Sequence, residues 1–168
     1  MQKLSILTIV GALALALAAG AAAHRVVTIK GTHGADTLAG TPANDRIHAR
    51  GGNDVVSAGD GRDRVYGGRG NDALDGGDGN DVLRGNRGDD VVDGGAGNDV
   101  IWVGRGADVQ RGGDGDDRLH ALARDRMLDT IDCGAGRDIV WLNAAEQDTH
   151  VNCEVVKTVT VHRDGGDS

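Results

Sequence analysis

The sequence contains no phenylalanine and only two tryptophans and one tyrosine among its 168 residues, so it cannot build an aromatic core. Glutamate is almost as scarce, because Glu146 and Glu154 are the only two among 26 acidic residues. Exposed helical surfaces are normally rich in glutamate and lysine, whereas aspartate favours turns. The shortage of glutamate therefore disfavours a helical domain and indicates a chain rich in turns. The length suits one domain.

Cysteine occurs only twice, at Cys133 and Cys153. A pair of cysteines in an exported protein is typical of a disulfide, and closing a loop of this span stabilises a fold by ~3 kcal/mol. A free catalytic thiol is the alternative, although no cysteine–histidine arrangement is evident nearby.

The N-terminus has the composition of a targeting segment. A short positive start ends at Lys3, residues 4–19 are apolar, and residues 21–23 offer an A-x-A cleavage site. We therefore predict a signal peptide over residues 1–23, a mature chain from His24, and a secreted, extracellular protein. A membrane anchor is the alternative, but the apolar run is short and no basic stop-transfer cluster follows it. No membrane span is expected after the signal is removed.

The charge and the scattered polar residues argue against several partners and chemistries. The net charge is −8, which disfavours nucleic acid as a partner. The six histidines show no paired zinc spacing, and no Ser-His-Asp context stands out. We therefore expect no catalytic residues and no enzyme activity.

A repeat of nine residues dominates the rest of the chain. Ten blocks follow one another without a gap from Gly31 to His120, and each has aspartate at its sixth position. These ten aspartates are Asp36, Asp45, Asp54, Asp63, Asp72, Asp81, Asp90, Asp99, Asp108 and Asp117. Such a period is the first feature to test in a sequence, because it defines the whole architecture.

The eighth position of each block is aliphatic in nine blocks of ten, with Gln110 as the exception. The nine aliphatic residues are Leu38, Ile47, Val56, Val65, Leu74, Leu83, Val92, Ile101 and Leu119. After an insertion at residues 121–123, two looser blocks follow, with their aspartates at Asp129 and Asp138. We expect the aliphatic residues to form two inner columns, and Gln110 to be a defect in one of them.

Blocks such as GGDGNDVLR resemble the haemolysin-type (RTX) calcium-binding repeat, G-G-x-G-x-D-x-U-x. The resemblance is close over residues 31–120 and loose over residues 124–141. It implies an all-β fold, a right-handed parallel β-roll (β-solenoid) of 18-residue coils that binds several Ca²⁺ ions. The segments DTIDCGAGRDIVW and VNCEVV resemble the end of small exported β-roll proteins, which implies that Cys133 and Cys153 pair and pin a C-terminal cap.

The repeat also suggests how calcium would be held. We take each block as a six-residue turn and a three-residue strand, with two blocks per coil and strands stacked ~4.8 Å apart. Aspartates 18 residues apart then lie one strand spacing apart, and a Ca²⁺ ion ~2.4 Å from each oxygen fits between them. The ten aspartates form at most eight such pairs between coils, and each pair is a possible calcium site. The sites that use Asp45 are doubtful because residues 41–43 lack the expected glycines. The alternative is that the aspartates only cap turns.

The ninth and seventh positions of alternate blocks predict a basic and aromatic outer face in an acidic protein. Its members are Arg46, His48, Arg64, Tyr66, Val82, Arg84, Val100, Trp102, Arg118 and His120. One hypothesis is that this face contacts an acidic cell-surface polysaccharide or a protein partner. The alternative is a solvated sheet face whose charges are offset locally.

These observations predict five segments: a signal peptide at 1–23, a capping strand at 24–30, the calcium-binding roll at 31–120, degenerate repeats with the disulfide-bonded cap at 121–156, and a tail at 157–168. The predicted function is calcium binding coupled to folding, in an exported structural or surface-interaction module that is largely disordered without calcium. A glycan-binding adhesin and a secreted hydrolase or epimerase are the alternatives.

Overall fold

The nine-residue repeat folds into short parallel strands that form two sheets. The structure is a computed structural model that describes residues 26–123 and 125–160, so the predicted signal peptide lies outside the described residues. The eight-stranded sheet is made of β1 (Val27–Lys30), β3 (Asp45–Gly51), β5 (Arg64–Arg69), β7 (Val82–Arg87), β9 (Val100–Arg105), β11 (Arg118–Ala121), β13 (Ile139–Asn143) and β15 (Val155–Val159). The seven-stranded sheet is made of β2 (Thr37–Ala39), β4 (Val55–Asp60), β6 (Ala73–Asp78), β8 (Val91–Ala96), β10 (Val109–Asp114), β12 (Thr130–Asp132) and β14 (Thr149–Val151).

The chain alternates between the two sheets, so two consecutive strands complete one coil of a parallel β-solenoid. Through most of the roll the register is 18 residues, as where Arg64 pairs with Val82 in β5 and β7. The register lengthens to 21 residues at Leu119 and Val140, because the chain has three additional residues between these strands; Ala121, the first residue of the insertion, itself pairs with Leu142. The predicted β-roll of 18-residue coils is therefore confirmed.

The division of each block into turn and strand differs from the prediction. The strands are six residues long and continue through the first three positions of the next block, leaving a turn of only three residues. Left-handed backbone falls at the second and fourth positions, for example Gly68 (φ 126°) and Gly70 (φ 114°), where a Cβ would collide with the preceding coil. The prediction of a six-residue turn was wrong because the second-position residue bends the strand without interrupting its pairing.

The core lies between the two sheets and consists of thin aliphatic columns. All nine aliphatic residues predicted from the eighth position are buried, none more than 5% exposed. Because the strands are longer than expected, the first position of each block also faces inward. That position carries a small residue, most often glycine, or a larger one such as Val103. The two sheets thus enclose one layer of large side chains beside one layer of small residues.

Gln110 is the predicted defect in this core. Its side chain is fully buried between the sheets, and neither its amide oxygen nor its amide nitrogen has a hydrogen-bond partner. A buried amide without partners costs free energy that an aliphatic side chain of similar size would not. Val92 and Ile131 continue the aliphatic column on either side of Gln110. The fold therefore tolerates one unfavourable residue in this column.

Both ends of the described roll are closed by strands outside the regular repeat. At the N-terminal end, β1 pairs with β3 from Val27 onward. At the other end Cys133 and Cys153 form the predicted disulfide, with their Cα atoms 5.1 Å apart, and β15 pairs with β13. No helix long and apolar enough to cross a membrane occurs in the part of the chain that the structure describes.

Replacing Gln110 with leucine should stabilise the roll. The change removes two unpartnered polar atoms and restores the aliphatic column, so we expect the free energy of unfolding to rise by about 1–3 kcal/mol. Urea unfolding at saturating calcium measures the change. Gln147→Leu is the matched control, because Gln147 is exposed and its replacement should leave stability nearly unchanged. An unchanged or lower stability of Gln110→Leu would show that the amide has a partner in solution.

Candidate metal centre

The repeated aspartates lie buried at the end of each turn and are joined into two ladders. The backbone N–H of each aspartate donates to Oδ1 of the aspartate one coil further on, as from Asp72 to Asp90 at 2.9 Å and from Asp81 to Asp99 at 2.8 Å. All eight predicted pairs are joined in this way, over 2.7–2.9 Å. The structure therefore brings the predicted residues together, but one oxygen of each inner carboxylate is engaged by backbone.

The ladders continue beyond the regular repeats, first to the aspartates of the two looser blocks and then to two carboxylates outside the repeat. Asp129 and Asp138 accept from Asp108 and Asp117 across the insertion. The final acceptors are two further carboxylates, Asp148 (from Asp129, 3.0 Å) and Glu154 (from Asp138, 2.8 Å). The nine-residue register missed both, because their spacings are 19 and 16 residues. The available signal was an acidic residue directly before each of the last two strands.

A further series of hydrogen bonds joins the coils at the fifth position of the blocks. Here the side-chain acceptor lies one coil before the backbone donor, whereas in the aspartate ladders it lies one coil after. The side-chain oxygen of Asn53 accepts from the backbone N–H of Asn71 one coil further on, and Asn71 in turn accepts from Asp89, both at 3.0 Å. Asparagine or aspartate occupies this position in seven of the ten blocks, at Asn44, Asn53, Asn71, Asn80, Asp89, Asn98 and Asp116. The frequent asparagine or aspartate at this position was the sequence signal for these hydrogen bonds. Each three-residue turn is thus tied to the coil before it and to the coil after it.

The second oxygen of most ladder aspartates has no partner. Asp63 and Asp81, for example, are at most 1% exposed, yet nothing donates a hydrogen bond to their Oδ2 atoms. The aspartates with an unpartnered buried Oδ2 are Asp54, Asp63, Asp72, Asp81, Asp90, Asp99, Asp108, Asp117, Asp138 and Asp148. Burial of an unpaired carboxylate is strongly unfavourable, so the repeat leaves a regular series of anionic oxygens that require a cation or a proton.

The Oδ2 atoms of Asp72, Asp81, Asp99 and Asp117 each face a small cradle of further oxygen atoms. A Cβ placed on Gly76 would lie 2.7 Å from Oδ2 of Asp81 and would also collide with the carbonyl oxygen of Gly94 in the next coil. The same arrangement recurs around Gly94, between Asp99 and the carbonyl oxygen of Gly112. Such an all-oxygen donor set of carboxylate and carbonyl groups is the set that Ca²⁺ prefers. The residues present therefore fit calcium.

Backbone carbonyl groups are needed to complete such a site. No group of three histidine, cysteine, aspartate or glutamate side chains comes together within residues 26–123 and 125–160. Ala49, Ala58 and Val103 carry a side chain where the other blocks have the glycine of the cradle. We therefore expect the turns of Asp54, Asp63 and Asp108 to leave the least room for an ion.

The first coil satisfies its carboxylates internally. Oδ2 of Asp36 accepts from the backbone N–H and, at 3.0 Å, the hydroxyl of Thr32, while Thr41 makes the same two contacts to Asp45, its hydroxyl at 3.1 Å. Asp36 and Asp45 were both predicted as metal ligands from the repeat. Because threonine occupies the second position of their blocks, these two residues belong to the ladders without presenting an unpartnered Oδ2.

Burial raises the pKa of the ladder aspartates from Asp54 to Asp148 above the ordinary value. Desolvation is the largest cause, and the charge of neighbouring ladder carboxylates adds to it. The pKa values of Asp90, Asp99 and Asp129 rise to about 7. Those of Asp72, Asp81, Asp108 and Asp117 rise to about 6. Near neutral pH the metal-free roll therefore holds a row of carboxyl groups that ionise only at a cost in stability.

Comparison with known families agrees with this geometry. The pattern of the RTX calcium-binding nonapeptide repeat matches residues 30–65, 39–74, 50–83, 75–110 and 111–125, which together span more than half of the chain. The chain belongs to this family of calcium-binding repeats. Comparisons with curated proteins and with solved structures found no match.

Asp81→Asn should lower the calcium content of the folded chain. Asparagine keeps Oδ1 as an acceptor for Asp63 but removes the anionic oxygen from the cradle, so we expect the loss of about one ion per chain. Asp36→Asn is the matched control, because Thr32 already satisfies that carboxylate. Equilibrium dialysis with metal analysis measures both. Equal losses in the two variants would contradict the distinction between the first coil and the inner coils.

Acidification should favour the metal-free fold. A carboxyl whose pKa is raised by folding stabilises the native state below its unfolded pKa of about 4, and this stabilisation is lost as the pH rises to the folded value. For Asp90 and Asp99 that value is about 7. Metal-stripped protein should therefore show more β-sheet signal in far-UV circular dichroism at pH 5 than at pH 8. A weaker or equal signal at pH 5 would contradict the role given to burial.

Proposed function

We propose that this protein is an exported calcium-binding β-roll whose folding is coupled to calcium binding. The observation that carries the proposal is the series of buried Oδ2 atoms without partners, of which those of Asp72, Asp81, Asp99 and Asp117 lie beside a carbonyl oxygen of the next coil. When bound, calcium supplies two positive charges that neutralise these carboxylates. The chain supplies the remaining elements: the ladders position the carboxylates, and the second-position and fourth-position residues bend the turns around them.

The coupling to folding follows from the composition of the core. One large aliphatic residue per nine-residue block buries little surface, and the same block buries a carboxylate. Without metal, desolvation and the repulsion between Asp81, Asp99 and Asp117 oppose the packed state. The free energy of metal binding then becomes folding free energy, as in other domains that lack a preformed site when unfolded.

An extracellular location supports this mechanism. The disulfide between Cys133 and Cys153 is typical of oxidising compartments, and the sequence predicts a signal peptide. Extracellular calcium modules commonly bind with dissociation constants of ~10⁻⁴ to 10⁻³ M. With an affinity in that range, the chain would remain unfolded at the low calcium concentration of the cytoplasm and would fold after export.

We further propose a structural or surface-interaction role rather than catalysis. The buried ionisable side chains that the structure describes are the ladder carboxylates themselves, and their positions are explained by the turn and its cation. A catalytic role would need a cleft that brings unlike groups together, such as an acid beside a base or a nucleophile. Screening the calcium-loaded protein for glycosidase, lyase, epimerase and esterase activity tests this part of the proposal; any turnover would contradict it.

Binding of an acidic glycan is a second candidate, supported by the outer face of the eight-stranded sheet. The predicted basic and aromatic residues lie on this sheet, and their ninth-position rings stack on one another, with His48 and Tyr66 4.7 Å apart and His120 and Trp141 4.4 Å apart. Arg84 lies between Tyr66 and Trp102. Because the ring planes are nearly parallel and successive, their faces are covered by each other. A sugar ring therefore cannot stack on Tyr66, Trp102 or His120, and recognition along this part of the face must rely on charge.

Calcium titration of the metal-stripped chain from His24 onward tests the main proposal. We expect a cooperative change in far-UV circular dichroism from disordered to β-sheet at ~10⁻⁴ to 10⁻³ M calcium, with little effect of magnesium at the same concentration, because Mg²⁺ demands a stricter octahedron. A full β-sheet signal at pH 8 after exhaustive metal removal would refute the coupling.

A further inference from the structure

A groove runs along the eight-stranded sheet beside the stacked rings. One wall is an uninterrupted column of arginines at the third position of successive coils, where Arg69 pairs in register with Arg87 and Arg87 with Arg105. All three side chains are exposed. Their backbones follow one another at the strand spacing of ~4.8 Å, so the column presents one guanidinium group per coil.

The floor and the opposite wall of the groove give it depth and length. The floor is formed by second-position residues, of which Gly68 and Gly104 have no side chain to fill the space. Two open clefts of about 780 and 450 Å³ lie along it and share Asn86 and Arg87. The first extends toward His33 and Arg50, and the second is bounded by the rings of Trp102 and His120. The groove therefore spans several coils parallel to the axis of the roll.

At the third position of the blocks, arginine is found only on this sheet among the described strands. The equivalent third-position column on the seven-stranded sheet reads Asp60, Asp78, Ala96 and Asp114. The repeat accepts either sign at this position, so nothing in the fold demands arginine. Like charges in register on neighbouring strands destabilise a sheet. Anionic groups arranged in a line along the groove would therefore offset the repulsion within the arginine column.

We propose that this groove binds a linear acidic polysaccharide, with the carboxylate or sulfate groups of successive sugars paired to Arg69, Arg87 and Arg105. An extended polysaccharide advances by about one strand spacing per sugar, so its charges can follow the coils. Guanidinium groups bind such oxyanions in a planar, bidentate manner. The proposal builds on the function proposed above, because the groove exists only in the folded roll.

Other occupants fit the groove less well. Single-stranded nucleic acid binds by stacking its bases on aromatic faces, and the faces of Tyr66, Trp102 and His120 are covered within the ring stack. A lipid surface would need apolar side chains, yet none of the exposed large hydrophobic residues among those described lines either cleft. The acidic column of a second copy is interrupted at Ala96 and does not match the continuous arginines.

The test compares two triple variants that change the charge equally. Arg69→Ser/Arg87→Ser/Arg105→Ser removes the groove wall, whereas Arg62→Ser/Arg111→Ser/Arg137→Ser removes three exposed arginines that lie outside the eight-stranded sheet. The ligand is a chondroitin sulfate decasaccharide, with maltodecaose as the uncharged control, measured by isothermal titration with calcium-loaded protein. We expect binding only to the anionic oligosaccharide, weakened at least tenfold in the groove variant and less than about threefold in the control variant.

Several outcomes would contradict the proposed binding of a polysaccharide in the groove. Equal weakening in the two variants would indicate diffuse attraction, unchanged affinity in both would place the site elsewhere, and no binding by the wild type would end the proposal. Association of the wild type that the groove variant loses in sedimentation, without oligosaccharide binding, would assign the arginines to a second copy. Circular dichroism and calcium content of the same samples separate the two proposals: a chain that folds and binds oligosaccharide in chelator refutes calcium-coupled folding alone.

Discussion

The structure depends on the hydrogen bond from the backbone N–H of one aspartate to Oδ1 of the aspartate one coil further on. This bond joins consecutive coils at both turns and holds the inner carboxylates in the interior, where desolvation raises the pKa of groups such as Asp90 and Asp99. Because only one oxygen takes part, the other remains available in the next gap of the stack. The same contact that defines the solenoid therefore creates the demand for a cation. Fold and binding site have one origin in this chain.

The nine-residue register made most of the architecture predictable. A side chain repeated at a fixed position must occupy the same environment in every coil, so the inner columns, the 18-residue coil and the pairing of aspartates could all be derived. The outer face with Tyr66, Arg84 and Trp102 followed from the same alternation. Gln110 was recognisable as a defect because it breaks a pattern that nine other blocks keep.

What could not be predicted depends on backbone geometry or lies outside the register. The division between turn and strand was missed because glycine at the first position suggests a bend, although its actual role is to leave space beside the carboxylate. Asp148 and Glu154 follow loops of irregular length, so their place in the ladders is fixed by strand pairing rather than by spacing. The closure of Asp36 by Thr32 also required the structure, since it depends on the position of one hydroxyl.

The threonines of the first coil have a wider consequence for how such a solenoid can be tuned. Thr32 and Thr41 occupy the position that is left-handed at Gly68 and Gly77, where a β-branched residue would be strained. In these two turns the hydroxyl group and the backbone amide of threonine, rather than a cation, are the partners of the carboxylate. In the proposed calcium-coupled fold, the need for an ion is therefore a local property that a single residue sets in each turn. One substitution at the second position can therefore change the partner of a carboxylate from a cation to a hydroxyl group, while the length, the register and the core of the solenoid stay the same.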